Sequence, residues 1–141
     1  MRRTLTILAV ALLTLALGAS AALADGGQTI TPTAKQKAGI AKAWNGGKAV
    51  QKSKLKCLTV AISKNTPVWA GLTFNDTATG CAAMAFDGTA LLWGSGGSWN
   101  IFMEGSDVDA ATCTAMATAL GPNAWVDLAG YAAGMGCENI D

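Results

Sequence analysis

Four cysteines spread along the chain, Cys57, Cys81, Cys113 and Cys137, constrain its fold more than any other feature. No two have the C-x-x-C spacing of a metal site, and the sequence has no histidine to complete one. They are therefore read as two disulfides, which form and persist in an oxidising compartment. The N-terminus agrees. Met1-Arg2-Arg3 is a short basic start, Leu5 to Leu17 is an apolar run broken only by threonines, and Ala22-Leu23-Ala24 places small residues where a signal peptidase cuts. Residues 1–24 are expected to be a signal peptide cleaved near Ala24-Asp25. Residues 25–30 follow as a flexible leader and residues 31–141 as a single secreted α+β domain.

The apolar run is shorter than the roughly 20 residues a membrane-spanning helix needs, and no second run follows it, so no membrane span is expected. Arg2-Arg3 lacks the rest of a twin-arginine signal, which favours the general export route. The compact signal and the Ala/Gly-rich composition point to a bacterial source. A domain of this size buries a core without help, so the disulfides reinforce it rather than replace it.

Charge is unevenly placed. All eight lysines lie between Lys35 and Lys64, and after Lys64 every charged residue is acidic. The basic third either complements the acidic remainder internally or meets an anionic partner, such as an envelope polymer, headgroups or an acidic protein. Lys48, Lys52 and Lys54 are the candidate binding lysines. Both arginines, Arg2 and Arg3, lie in the signal, so the mature chain lacks the side chain best suited to bidentate phosphate recognition. Specific nucleic-acid binding is not expected.

The pattern of residues predicts an α+β architecture: an N-terminal helix, a five-stranded antiparallel meander and two C-terminal helices that, with the first, cover one face of the sheet. Thr31-Pro32 offers a hydroxyl cap followed by proline at the first helical position, Ile40 and Trp44 form one apolar stripe, and Asn45-Gly46-Gly47 ends the helix. Leu58, Val60 and Ile62 alternate with Cys57, Thr59 and Ala61, and Val68 to Phe74 alternates in the same way. Cys81 to Phe86, Thr89 to Trp93 and Ser98 to Met103 complete the strands, with Asp87-Gly88 as a tight hairpin turn. Ser106 or Asp107 caps a helix through Asp109 to Leu120, Gly121-Pro122 stops it, and a last helix carries Trp125 and Leu128 up to Gly134-Met135-Gly136. Four cysteines allow three pairings. Cys57 and Cys81 flank one hairpin and Cys113 and Cys137 sit in adjacent helices, which favours Cys57–Cys81 and Cys113–Cys137.

Without histidine, no Ser-His-Asp or Cys-His catalytic arrangement and no histidine-ligated metal site can be built. Glu104, Asp107 and Asp109 are the one carboxylate cluster. They read first as a helix cap with favourable charge at the helix dipole, then as a weak calcium candidate, and last as a glycosidase acid and base. Of the five tryptophans, most are expected to fill a core otherwise rich in alanine. Trp69, out of phase with Val68, Ala70 and Leu72, is the candidate for exposure and binding. No cofactor is expected.

Ser63-Lys64-Asn65-Thr66-Pro67-Val68-Trp69-Ala70, followed by Asp87-Gly88, Leu91-Leu92, Gly97-Ser98-Trp99, Cys113, Pro122, Asp127-Leu128 and Cys137, resembles a diffuse set of small secreted actinobacterial proteins. The resemblance covers about residues 57–137. It implies export, one small domain and a helical hairpin closed by a C-terminal disulfide, and it carries over no activity. The expected function is a secreted, non-catalytic binding domain whose partner is an envelope polymer or a secreted protein. A protease or hydrolase inhibitor presenting Asn75 to Gly80 is the alternative, and a carboxylate-based glycan hydrolase is the third reading.

Overall fold

The computed structural model describes residues 27–75, 77–81 and 88–138. The signal-peptide assignment of residues 1–24 lies outside them, as does the expected strand from residue 82 to 86. Five strands form one antiparallel sheet in sequence order: β1 (Thr29–Ile30), β2 (Leu58–Ser63), β3 (Trp69–Phe74), β4 (Thr89–Ser95) and β5 (Ser98–Gly105). Three helices accompany it: α1 (Ala34–Trp44), α2 (Ala110–Asp127) and α3 (Ala129–Gly134). A 3-10 turn, Lys52–Cys57, leads into β2. Cys57 therefore ends that turn rather than opening the strand.

Among the described residues the strands number the expected five, but their membership differs. Thr73 of β3 pairs directly with Thr89 of β4, and Cys81 sits in a turn. The fifth strand comes from the expected leader. Thr29 pairs with Ser63 and Ile30 with Ile62, which makes these two residues the edge strand of the sheet.

That edge is held by one carboxylate. Asp127, at the end of α2 and only 6% exposed, accepts from the backbone N–H of Gln28 (2.8 Å), the Ser63 hydroxyl (2.6 Å) and the backbone N–H of Asn65 (3.0 Å). The Asn65 amide adds two longer contacts of 3.2 Å. Lys64 reinforces the edge, its backbone N–H donating to the Gln28 carbonyl and its ammonium to the Gln28 side-chain oxygen. Gly27 rests directly on the Asp127 backbone: a Cβ there would fall 1.9 Å from the Asp127 Cα.

The expectation that the helices share one face of the sheet does not hold. Ile40, Ala41 and Trp44 of α1 pack on Leu58, Ile62, Ala70, Leu72, Ala90, Leu92 and Trp99, and Trp44 stacks on Phe74 with ring centres 6.4 Å apart. Leu91 points to the opposite face and meets Met116, Leu120 and Ala124 of α2, Leu128, Ala132 of α3 and Met135. The sheet is thus covered on both sides, because adjacent residues of β4 are apolar and both Leu91 and Leu92 are fully buried. A β-bulge follows in β5: Leu91 pairs with Met103 and Leu92 with Ile101, leaving Phe102 as the extra residue.

Local chemistry explains the helix ends. Thr33, not Thr31, caps α1, in a reciprocal capping box with Gln36. Asp109, not Ser106 or Asp107, caps α2, its side chain accepting from the Thr112 N–H at 2.7 Å. Gly121, with φ +74°, breaks α2 just before Pro122, as Gly121-Pro122 led one to expect. Both disulfides are the expected ones, Cys57–Cys81 and Cys113–Cys137.

One close approach sets the distance of α3 from the sheet. The ring of Tyr131 lies over Gly71, where a Cβ would fall 2.3 Å from a ring carbon; burial of that ring pushes its phenol pKa up. Gly71→Ala should therefore lose about 1–3 kcal/mol through overpacking, measured by urea unfolding. In a Tyr131→Ala background the same change should cost much less, which a double-mutant cycle reads as coupling.

Candidate functional site: a lysine-lined groove beside the β4–β5 turn

Where α1 crosses the sheet edge, Gly39 touches the two-residue turn joining β4 to β5. A Cβ on Gly39 would fall 2.5 Å from the Gly97 carbonyl oxygen. Helix and turn meet at that point, and two shallow depressions open around it. One, of about 260 Å³, is lined by Lys42, Ala43, Gly47, Ser98, Trp99 and Asn100. The other, of about 300 Å³, is lined by Lys35, Ala38, Lys42, Ala49 and Val50. Both include Gly39, Lys42 and Gly97, so the two form one groove divided at the helix–turn contact.

The groove is built on rigid parts. The capping box fixes the first turn of α1, from which Lys35 projects. The stem of Lys35 runs along Gly97, its Cε 3.2 Å from where a Gly97 Cβ would be, so the ammonium is carried past the turn toward solvent. The Trp99 indole N–H donates to the Gly96 carbonyl at 3.1 Å and holds the turn in place. Two ammonium groups line the groove together with residues 98–100 of β5, in which Trp99 faces α1 and alternation turns the Asn100 side chain to the other face. Among the described residues no carboxylate lines it. Such a lining attracts anions.

The sequence-based candidates fall elsewhere. Lys48 and Lys52 are exposed and Lys54 donates to the Gly80 carbonyl at 2.6 Å; none of the three lines the groove. Lys35 and Lys42 were missed. The signal for them was present, since Lys35, Gly39 and Lys42 stand at i, i+4 and i+7 and therefore share one helix stripe.

Trp69 is half-buried, its ring edge-to-face with Phe102 at 5.0 Å between centres. Its out-of-phase position reflects a second covered face rather than exposure. The exposed indole is that of its cross-strand partner Trp93, at 50%. Glu104 lies on β5, Asp107 accepts a 3.4 Å bond from the Ser106 hydroxyl, and Asp109 is committed to the α2 cap. That cap bond to the Thr112 backbone N–H holds the Asp109 carboxyl below its ordinary pKa. Among the described residues, no three acidic, cysteine or histidine side chains come together as a metal-ion group. Asn75, at the start of the expected inhibitory loop, accepts from the backbone N–H and hydroxyl of Thr77, and the loop ends at the buried Cys81. Among the described residues, no helix is long and apolar enough to cross a membrane. No family model, curated protein or solved structure matches the chain.

Proposed function

We propose that this protein is an exported, non-catalytic binding domain that holds an anionic polymer of the cell envelope in the groove between α1 and the β4–β5 turn. The observation that carries this reading is the pairing of Lys35 and Lys42 in a groove that no carboxylate lines among the described residues. The two disulfides and the N-terminal signal-like sequence support export, as does the resemblance to small secreted actinobacterial proteins. Layering adds long-range attraction. Lys35, Lys37 and Lys42 stand on α1, over one face of the sheet, whereas α2 and α3 on the other face have no lysine or arginine. A polyanion is thus steered toward the α1 side.

The test is co-sedimentation with isolated cell walls, before and after chemical removal of their anionic polymers, across a salt series. Binding should weaken as salt rises, because exposed charge pairs are screened within about 10 Å at 0.1 M. Lys35→Glu with Lys42→Glu should lower affinity by about tenfold or more at low salt, whereas Lys52→Glu should have a smaller effect. Equal binding by the double variant and the wild type, or binding indifferent to removal of the anionic polymer, overturns the proposal.

A further inference from the structure

A second surface lies on the opposite face of the sheet. Trp69, Trp93 and Asn100 are direct cross-strand neighbours on β3, β4 and β5. Trp69 packs in the α2–α3 core, so the row points to that side. Its three positions span about 10 Å at the usual spacing of strands. Trp69 is fixed by its contact with Phe102, and the rest of the row is open: Trp93 is half exposed and Asn100 exposed. Beyond Trp93 the chain passes through exposed Ser95 into the turn, whose Gly97 and Ser98 belong to the groove on the α1 side. The open indole therefore stands between the half-buried Trp69 ring and the exposed Asn100 amide.

We propose that Trp93 and Asn100 form a platform for an uncharged saccharide, separate from the lysine groove. A pyranose ring presents an apolar face of C–H groups, which stacks on an indole, and equatorial hydroxyls, which bond to an amide or a serine hydroxyl. The row supplies both kinds of partner side by side, and sheet pairing holds them in place. A protein partner would bury a broader apolar surface than one open indole beside an amide. An acidic polymer finds no cation in the row, and the helices on this face bring none. A neutral sugar is the ligand that fits.

The experiment is titration of the full-length secreted protein with neutral tetrasaccharides of glucose, N-acetylglucosamine and mannose, followed by indole fluorescence and by the Trp93 side-chain N–H signal in NMR. At least one should shift the Trp93 signal with saturation. Trp93→Ala should weaken that binding by about tenfold or more, and Asn100→Ala by a smaller factor. Lys35→Glu with Lys42→Glu should leave it unchanged, which separates this platform from the groove. Trp93→Phe keeps a ring on the strand and should retain part of the affinity, so a folding defect in the alanine variant cannot pass for loss of the site. No saturable shift at millimolar saccharide, or equal affinity in Trp93→Ala, overturns the proposal. Concentration-dependent self-association abolished by Trp93→Ala, without saccharide binding, overturns it in favour of an interface between copies.

Discussion

Replacing Asp127 with alanine should remove about 4 kcal/mol of stability, a large part of what a domain of this size has. The carboxylate is nearly buried and receives bonds from Gln28, Ser63 and Asn65. Alanine would leave the N–H groups of Gln28 and Asn65 and the hydroxyl of Ser63 without their acceptor; Ser63 is fully buried, and a buried donor left unmade costs more than the mean value of a bond. The melting temperature should fall by about 15 °C. Asp127→Asn keeps the shape but turns an amide NH₂ toward groups that are themselves donors, so it should lose about 2–3 kcal/mol. Ser63→Ala removes one bond to Asp127 and the one its oxygen accepts from Thr66 N–H, for about 1–2 kcal/mol. Because the damage is aimed at the edge, amide exchange at Gln28, Thr29 and Ile30 should accelerate before that of β3 and β4. Uniform acceleration over the whole sheet would show that Asp127 does not act as a clamp on β1.

The same residue sets a pH dependence. Burial acts to raise the Asp127 pKa, but the bonds from Ser63, Asn65 and Gln28 together outweigh it and hold the carboxyl below its ordinary value. In the unfolded chain it titrates near pH 3.9. The unfolded state therefore takes up the proton first as pH falls. The stability that Asp127 contributes is complete above the unfolded pKa and is lost as pH drops through the folded one. Denaturant unfolding at pH 6 and pH 3 should show the wild type losing more stability on acidification than Asp127→Asn, which has no carboxylate to protonate at this position. Equal losses would place the acid sensitivity in other carboxylates.

Much of this fold was legible because period-2 alternation is a local signal. Leu58, Val60 and Ile62 announced β2, and Leu72 with Phe74 announced β3. Gly121-Pro122 marked the break in α2 for a backbone reason that needs no tertiary information. What stayed hidden depended on distant partners. Two residues, Thr29 and Ile30, are too few to show any period, and they are a strand only because Asp127, 99 residues away from Gln28, holds the neighbouring backbone. The Ser63 to Ala70 stretch and Asp127-Leu128, both part of the motif set quoted for the resemblance, meet at this clamp. The second covered face was visible only as the apolar pair Leu91-Leu92, a pattern that a half-buried strand does not have. Misreading that pair put Trp69 outside and overlooked Trp93. For the candidate groove, the sequence placed the basic charge correctly on the first third but chose Lys48, Lys52 and Lys54, because the approach of Gly39 to Gly97 that singles out Lys35 and Lys42 joins segments nearly sixty residues apart.

The second large effect is expected from the disulfides, and it should differ between them. Each joins cysteines 24 residues apart, so restriction of the unfolded chain contributes about 3–4 kcal/mol in either case. The native contexts are not alike. Cys57 lies where the 3-10 turn enters β2, and β2 is paired on both sides, to β1 and to β3. Cys113 and Cys137 tie the first half of α2 to the segment beyond α3, closing a loop that holds Leu120, Ala124, Leu128, Ala132 and Met135. Apart from Leu91 and the half-buried Trp69, Phe102, Met103 and Val108 at its margin, that core is made by the loop itself, and α2 is broken at Gly121 within it. Cys113→Ser with Cys137→Ser should therefore loosen the whole helical layer, whereas Cys57→Ser with Cys81→Ser should lower global stability with the strand order intact. Hydrogen exchange distinguishes the two outcomes: early exchange confined to α2 and α3 in the first variant, and a shift of all slow amides in the second. All four cysteines are buried, so millimolar reductant should reach the disulfides only after opening, and native protein should resist it until denaturant is added. Rapid reduction under native conditions, or identical exchange patterns in the two variants, would show that the helical layer does not depend on its own crosslink.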